Sequence, residues 1–354
     1  MNLQERELLF TKNLLEWHKK NKRSFPWKET SDPYKIWLSE IILQQTRVEQ
    51  GLPYYLKMVK LFPTIKHLAS AKEDEVLKAW QGLGYYSRAR NLQSGAKYIL
   101  EELNGKLPEN YDGWLKIKGV GPYAAAAIVS FAYNLPHAVV DGNVYRVLAR
   151  NFGIDLPIDS TEGKKKFSNL ANKLIAKKEA ALFNQAIMDL GATVCKPSSS
   201  PLCKVCPVNE NCVALKKNMI AFLPVKSKKI VLRNRFFHYI VAKNETGFLM
   251  EKRKENDIWK GLYQFPLIES EKFLSLVNLS AHPTFKKVTN DKNLKITAGK
   301  KFVYLLSHQK IHAKFFLVST DKINSKIYSV IKKIHLKKLA VPKIIEHYLK
   351  NIIH

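Results

Sequence analysis

The chain has 354 residues, which is long for a single domain, and two or three domains are expected. Its hydrophobic fraction of 46% is enough to build a full core, which argues against disorder. Lysine and arginine number 59 against 30 aspartates and glutamates, so the formal net charge is +29. Such a charge indicates a polyanionic partner, either nucleic acid or an anionic membrane surface, unless it is only a solvated basic surface.

No apolar run reaches the ~18 residues of a membrane span, and the first residues carry charges where a signal peptide would be apolar. We therefore expect a cytoplasmic protein that binds nucleic acid, with no membrane contact. Residues 1–218 predict a helical domain, because apolar residues recur at three- and four-residue spacing. Helix starts are marked at Asp32-Pro33 and at Asp112.

The character of the chain changes in its last third. Residues 219–234 are basic and lack a helical period, which predicts a linker. Residues 235–354 are expected to form an α+β domain. Its signals are strands at 236–243 and 248–254 joined by a turn at 244–247, a strand at 310–319, and a helix opening at Pro342.

All four cysteines fall in one short stretch, 195–212: Cys195, Cys203, Cys206 and Cys212. Disulfides are rare in the cytoplasm, and four thiolates this close suit a zinc ion or a [4Fe–4S] cluster. Two disulfides or reduced core cysteines are the alternatives.

The segment 117–123 predicts a hairpin between two helices. Gly119, Val120 and Gly121 would let backbone N–H groups approach a phosphate, with the positive end of a helix starting at Pro122 behind them. A glycine that only ends a helix is the alternative.

Two carboxylates stand out. Glu40 shares a predicted helix face with Ile36, Trp37 and Leu43, so burial should raise its pKa. A carboxyl with a raised pKa can donate a proton near neutral pH. An exposed or ion-paired glutamate is the alternative. Asp141 stands at a predicted helix start, where an N-cap is the structural interpretation. A functional anion is compatible with that role, because the helix dipole favours the ionised carboxylate. A proton donor and an ionised carboxylate together are typical of glycoside-cleaving enzymes.

The motifs LSEIILQQT, GLGYYSRARNL, IKGVGPY, VVDGNVYRVLAR and the four-cysteine loop arrive in order along the chain. In this order and spacing the sequence resembles the MutY family of adenine DNA glycosylases, within the helix-hairpin-helix superfamily, over nearly its whole length. The resemblance implies an all-α helix-hairpin-helix glycosylase domain with an iron–sulfur loop, followed by an α+β Nudix-like (MutT-like) domain that recognises the lesion.

Residue roles follow from the same resemblance. Glu40 would protonate N7 of a flipped-out adenine, and Asp141 would stabilise the oxocarbenium ion or trap it covalently. Tyr123 and Asn143 would support this site. Residues implied to contact DNA or the lesion are Gln44, Gln45, Thr46, Tyr85, Gly119, Val120, Gly121, Ser307 and His308. From composition alone, Tyr85 and Tyr86 would be core aromatics.

The chain departs from the family pattern in two places. Seven residues separate Cys195 from Cys203 where members usually have six. One added residue costs little closure entropy, so a [4Fe–4S] cluster is still expected, with zinc as the alternative. Leu306 precedes Ser307 and His308 where members often have phenylalanine. The residues after 266 lack the acidic cluster that a Nudix hydrolase needs.

The resemblance therefore implies a monofunctional base-excision repair glycosylase, acting as a monomer on double-stranded DNA that contains adenine opposite 8-oxoguanine or guanine. Two rivals are open. A bifunctional pyrimidine-lesion glycosylase/lyase would need a lysine where this chain has Tyr123. A noncatalytic iron–sulfur DNA-binding module would not need Glu40 and Asp141.

Overall fold

The structure is a computed structural model that describes residues 2–197, 200–227, 231–254, 257–289, 294–320, 323–324 and 326–351. The chain divides into two compact units, Met1–Ser70 with Asn91–Lys229, and Ala71–Arg90 with Ile230–His354. The expected boundary near residue 218 is close to this division, but residues 71–90 group with the C-terminal unit. Part of the predicted linker, residues 228–230, lies outside the described residues.

The first half of the chain is helical, as predicted. Its elements are α1 (Leu3–Lys20), α2 (Pro33–Leu43), α3 (Val48–Leu61), α4 (Ile65–Ser70), α5 (Glu73–Ala79), α6 (Ser87–Glu102), α7 (Tyr111–Leu115), α8 (Pro122–Tyr133), α9 (Gly142–Phe152), α10 (Thr161–Leu174), α11 (Ala180–Thr193), a 3-10 turn (Cys203–Val205) and α12 (Val213–Lys216). Among the described residues, no helix combines the length and the apolar character needed to cross a bilayer.

Local chemistry explains where the site-bearing helices begin. Asp32 caps α2, because its carboxylate accepts from Tyr34 N at 2.9 Å, and Pro33 is the first helical residue, as predicted. The helix predicted to start at Asp112 begins instead after Asn110, whose side-chain oxygen accepts from Gly113 N at 2.8 Å. Asp112 lies in the first turn of that helix, so this start was wrong by two residues.

The C-terminal unit is built on a mixed sheet of β1 (Arg233–Lys243), β2 (Phe248–Lys252), β3 (Tyr263–Gln264), β4 (Leu267–Ser270), β5 (Lys295–Leu305), β6 (Gln309–Ser319) and β7 (Ser329–Ile331), with the strand order β3-β2-β1-β6-β5. Its helices are α13 (Leu276–Ala281), α14 (Pro283–Val288), α15 (Lys333–Leu336) and α16 (Lys343–Lys350). The predicted hairpin is confirmed, with Lys243 opposite Phe248, as are the strand near 310–319 and the helix after Pro342.

Residues 71–90 are attached to this sheet by polar contacts. Lys252 Nζ lies 2.6 Å from an Asp74 carboxylate oxygen, and Lys78 Nζ donates to Leu339 O at 2.9 Å. Arg90 donates to Lys260 O at 2.6 Å. The turn after α5, which carries Tyr85, is therefore held by the C-terminal unit.

Candidate active site

The helical unit contains a cavity of about 200 Å³ into which both predicted catalytic carboxylates project. We call it the carboxylate cavity. Glu40 comes from α2 and is only 7% exposed, and Asp141 comes from the start of α9. The other lining residues are Arg23, Phe25, Trp27, Lys28, Ser39, Leu43, Thr46, Val48, Tyr123, Phe131, Asn143, Gln185, Met188, Asp189 and Ala192.

Glu40 has the raised pKa that its position on an apolar helix face predicted. Burial is the main cause and raises the pKa of the carboxyl to about 7, and the nearby Asp141 adds to the rise. The Tyr123 hydroxyl donates a hydrogen bond to Glu40, which lowers the pKa in part. A carboxyl with a pKa near 7 can hold a proton at neutral pH and give it up readily.

Asp141 is the N-cap of α9, so the structural role considered for it is confirmed. Its Oδ1 accepts from the backbone N–H groups of Asn143 at 2.9 Å and Val144 at 2.8 Å. The helix start was expected to keep this carboxylate ionised, but burial acts in the opposite direction and raises the pKa of Asp141 above its ordinary value. These hydrogen bonds and the guanidinium of Arg146 act against that rise and favour the anion.

Asn143 is hydrogen-bonded to the side chain of Asp141. Its amide Nδ2 donates to Asp141 Oδ2 at 2.8 Å, while its Oδ1 accepts from Arg146 at 2.8 Å. Arg146 also donates to Cys195 O at 2.7 Å, so a hydrogen-bond network connects Asp141 and Asn143 to the start of the cysteine loop. A Cβ atom at Gly191 of α11 would lie 2.6 Å from Asn143 Cβ, so glycine is needed for the two helices to pack this closely.

The predicted hairpin lies between α7 and α8. Gly119 is exposed and has φ +85°, a conformation suited to glycine, and a Cβ there would lie 2.7 Å from Asn91 Cβ. Val120 is buried, and its N–H donates to Ile117 O at 3.0 Å. Val120 packs into the core, so the close approach of the backbone to a phosphate is expected at Gly119 and Gly121.

Two of the residues implied to contact DNA have strained backbones. Gln45 lies between α2 and α3 with φ +53°, and Tyr85 has φ +48°. Left-handed conformations are uncommon outside glycine and cluster at functional sites. Gln44 and Thr46 flank Gln45, and Thr46 also lines the carboxylate cavity.

A second cavity, of about 360 Å³, lies within the C-terminal unit. We call it the aromatic cavity. It brings together Tyr85, Leu306, Ser307 and His308, and the hydroxyls of Tyr85 and Ser307 are hydrogen-bonded. Ser307 and His308 lie in the turn between β5 and β6.

The two neighbouring tyrosines differ in their surroundings. Tyr85 is 41% exposed, whereas Tyr86 is 6% exposed and accepts a hydrogen bond from Gly82 N. The core-aromatic interpretation therefore holds for Tyr86 and not for Tyr85.

The four cysteines line one small cavity of about 30 Å³, together with apolar side chains and Arg150. Arg150 lies 3.6 Å from Cys195 Sγ and donates to Lys196 O at 2.9 Å. Among the described residues, no three His, Cys, Asp or Glu side chains converge as they would around a single metal ion. Part of the seven-residue spacing, residues 198–199, lies outside the described residues.

Lys28 and Asp189, which were not predicted from the sequence, are paired on the wall of the carboxylate cavity. Lys28 Nζ lies 2.7 Å from an Asp189 oxygen, and the Asp189 side chain is only 4% exposed. Asp189 is a lone acidic residue in the apolar run of α11, the same signal that singled out Glu40.

Comparisons with known proteins find two family domains, in the same order as the helical and sheet-containing parts of the chain. Residues 38–177 match the family described as HhH-GPD superfamily base excision DNA repair protein, and residues 238–351 match the NUDIX domain. A solved thermostable thymine-DNA glycosylase is 28% identical, with a TM-score of 0.56, and covers 60% of this chain and 98% of its own. Endonuclease III in a non-covalent DNA complex shares the fold, with a TM-score of 0.53 at 23% identity over 62% of this chain and 99% of its own.

A helical fold with a glycine hairpin and two carboxylates in one cavity thus defines a base-excision DNA repair glycosylase of the helix-hairpin-helix class. The adenine DNA glycosylase of Buchnera aphidicola subsp. Acyrthosiphon pisum (strain APS) is 32% identical over 357 residues, 97% of this chain and 99% of the relative. The Homo sapiens adenine DNA glycosylase is 42% identical over 214 residues, 58% of this chain and 39% of the relative. The chain belongs to the adenine DNA glycosylase family, and it is a hydrolase acting on N-glycosyl bonds.

Proposed function

We propose that the enzyme removes adenine paired with 8-oxoguanine, or with guanine, from double-stranded DNA, and that it acts as a monomer. The observation that carries this proposal is the carboxylate cavity, which is lined both by Glu40, with its pKa raised to about 7, and by Asp141, whose carboxylate accepts two backbone N–H hydrogen bonds. A single-turnover assay on duplexes with A:8-oxoguanine, A:G and thymine glycol tests it. Activity on thymine glycol alone would favour the bifunctional rival, and no activity would favour the binding module.

In the proposed reaction, Glu40 donates its proton to N7 of the flipped adenine, so that the base leaves neutral as the C1′–N9 bond breaks. Asp141 faces the positive charge that develops on the sugar. The hydrogen bonds from Asn143 hold the Asp141 carboxylate in place. Water then adds to C1′ and loses a proton, which gives the abasic site.

We propose that excision leaves the DNA strand intact. Tyr123 occupies the position that holds lysine in the related lyases, and a phenol cannot form a Schiff base. Incubation of the enzyme with an A:8-oxoguanine duplex should release adenine without strand breaks until alkali or heat is applied. Breaks formed at the rate of base release would contradict the monofunctional assignment.

We propose that the four cysteines hold a [4Fe–4S] cluster, since all four line one cavity and cluster ligation by four cysteines is common. Cys195, one of the residues that would hold the cluster, also accepts a hydrogen bond from Arg146 of α9. The purified protein should be yellow-brown and contain about four irons per chain. One zinc ion per chain after anaerobic purification would overturn this assignment.

We propose that the aromatic cavity and its rim read the oxidised base. Guanine accepts a hydrogen bond at N7, whereas 8-oxoguanine donates one there, and the Ser307 hydroxyl can accept it. Tyr85 would wedge beside the lesion, with its hydroxyl bonded to Ser307. His308, next along the turn, would contact the same strand.

The Ser307→Ala variant of the full chain should lose most of the preference for 8-oxoguanine over guanine. One good polar contact is worth roughly 1–3 kcal/mol of discrimination, so the ratio of the two excision rates should fall roughly 10- to 100-fold. Ser329→Ala, at an exposed serine of β7 in the same unit, is the control and should not change the ratio. An unchanged ratio in Ser307→Ala would remove Ser307 from lesion reading.

A further inference from the structure

The carboxylate cavity contains an amine that the proposed mechanism does not use. Lys28 Nζ donates to both carboxylate oxygens of Asp189, at 2.9 and 2.7 Å. The two side chains are shielded from solvent, at 14% and 4% exposure. Glu40 and Asp141 line the same cavity, so the amine shares a compartment with the groups that act on the glycosidic bond.

This cavity is small. Its volume of about 200 Å³ is below the roughly 300–1,000 Å³ of clefts that enclose drug-sized ligands. A nucleobase would occupy most of it, and departure of that base leaves the space between Lys28 and the abasic sugar open. Lys28, Glu40 and Asp141 would then line one emptied space.

The charged neighbours of Lys28 shift the pKa of its amine in opposite directions. Burial is the largest influence and lowers the pKa of Lys28, and Arg23 lowers it further, while Asp189 raises it. His18 and Arg23 face the same carboxylate, with nitrogens 3.7 and 3.9 Å from Asp189 oxygens. Asp189 is therefore the group that favours the protonated form of the lysine against the effects of burial and Arg23, and an ammonium is not a nucleophile.

The product of base excision is a reactive partner for an amine. The hydrolysed sugar carries a hydroxyl at C1′ and opens to an aldehyde. A neutral amine attacks the aldehyde carbon and forms an N–C bond as the C=O π bond breaks, and the carbonyl oxygen takes a proton from solvent while the nitrogen keeps its own two. Loss of water from this adduct leaves a protonated imine, and the proton that the ammonium gave up first goes to solvent.

We infer that Lys28 is a latent Schiff-base amine directed at the abasic-site product, and that its ion pair with Asp189 holds it out of reaction. This inference rests on the proposed function only in placing the sugar product in the carboxylate cavity. It adds a covalent activity that the presence of Tyr123 at the lyase position would not suggest.

The test uses a preformed abasic-site duplex, so that its outcome does not depend on adenine excision. The full-length enzyme, with and without Asp189→Asn, is mixed with this duplex and borohydride, and the covalent complex is measured on a denaturing gel. Asp189→Asn should form at least tenfold more complex than the unaltered enzyme. Adding Lys28→Arg to Asp189→Asn should remove the gain, and the cross-linked peptide should contain residue 28.

Lys12→Arg, at an exposed lysine of α1, is the matched control and should leave the gain of Asp189→Asn unchanged. The inference is overturned if Asp189→Asn, with an unchanged melting temperature, traps no more than the unaltered enzyme. It is also overturned if the cross-link maps to another residue.

If Asp189→Asn does not fold, a pH series decides the question. Trapping by the unaltered enzyme should rise with pH as Lys28 loses its proton, and Lys28→Arg should abolish that rise. The same pH dependence in both proteins would exclude Lys28.

Discussion

Glu40→Gln should lower the single-turnover rate of adenine excision by roughly 10²- to 10⁴-fold, the range for loss of a general acid. Glutamine keeps the shape of the side chain on α2 but has no acidic proton to donate. DNA affinity should change little, because Glu40 is buried inside the cavity and does not contribute to the exposed basic surface. A purified, folded variant within about tenfold of the unaltered rate, or ~1.4 kcal/mol of barrier, would contradict the general-acid role.

The pH profile supplies an independent signature of the same group. Since the pKa of Glu40 is about 7 and the protonated form is active, the excision rate should be highest below pH 7 and fall as pH rises above it. Tyr123→Phe removes the hydrogen bond that lowers this pKa, so the fall should move to higher pH. A rate that is flat between pH 6 and 9 would contradict the assignment.

The raised pKa also has a consequence for stability. A carboxyl whose pKa is higher in the folded than in the unfolded chain stabilises the fold at low pH, and this contribution is lost as pH rises from about 4.5 to about 7. Glu40→Gln removes this titration. At pH 8 the variant should therefore resist urea better than the unaltered enzyme, by up to roughly 3 kcal/mol. Glu101→Gln, at an exposed helical glutamate, is the control for both activity and stability.

Asp141→Asn should reduce excision by roughly 10²- to 10³-fold, the range for removal of one electrostatic stabiliser of a transition state. Asparagine is as good an N-cap as aspartate, so α9 should keep its start and the melting temperature should change little. The variant therefore separates the charge of Asp141 from its structural role.

Asp32→Asn is the matched control for this experiment. Asp32 caps α2 through Tyr34 N and does not line the carboxylate cavity. Its substitution should produce a similar small change in melting temperature and little change in excision rate. Equal losses of activity in the two variants would show that capping, and not the charge opposite the sugar, explains the effect at Asp141.

Much of the architecture was predictable because it depends on short-range chemistry. The start of α2 at Asp32-Pro33, the hairpin around Gly119 and the β1–β2 turn each follow from residues within a few positions of one another. The raised pKa of Glu40 was predictable for a related reason. A carboxylate that shares a helix face with Trp37 and Leu43 is buried wherever that face packs against the core.

Only the tertiary structure could decide which distant residues meet. The pairing of Lys28 with Asp189 joins positions 161 residues apart, and the contact between Tyr85 and Ser307 joins positions 222 apart. The grouping of residues 71–90 with the C-terminal sheet and the effect of burial on Asp141 also depend on contacts between distant parts of the chain. The sequence by itself determined the helices, the hairpin and the family motifs, because these depend on neighbours along the chain. The cavities and the pKa shift of Asp141 depend on which surfaces exclude water together, and that is settled only when the elements pack.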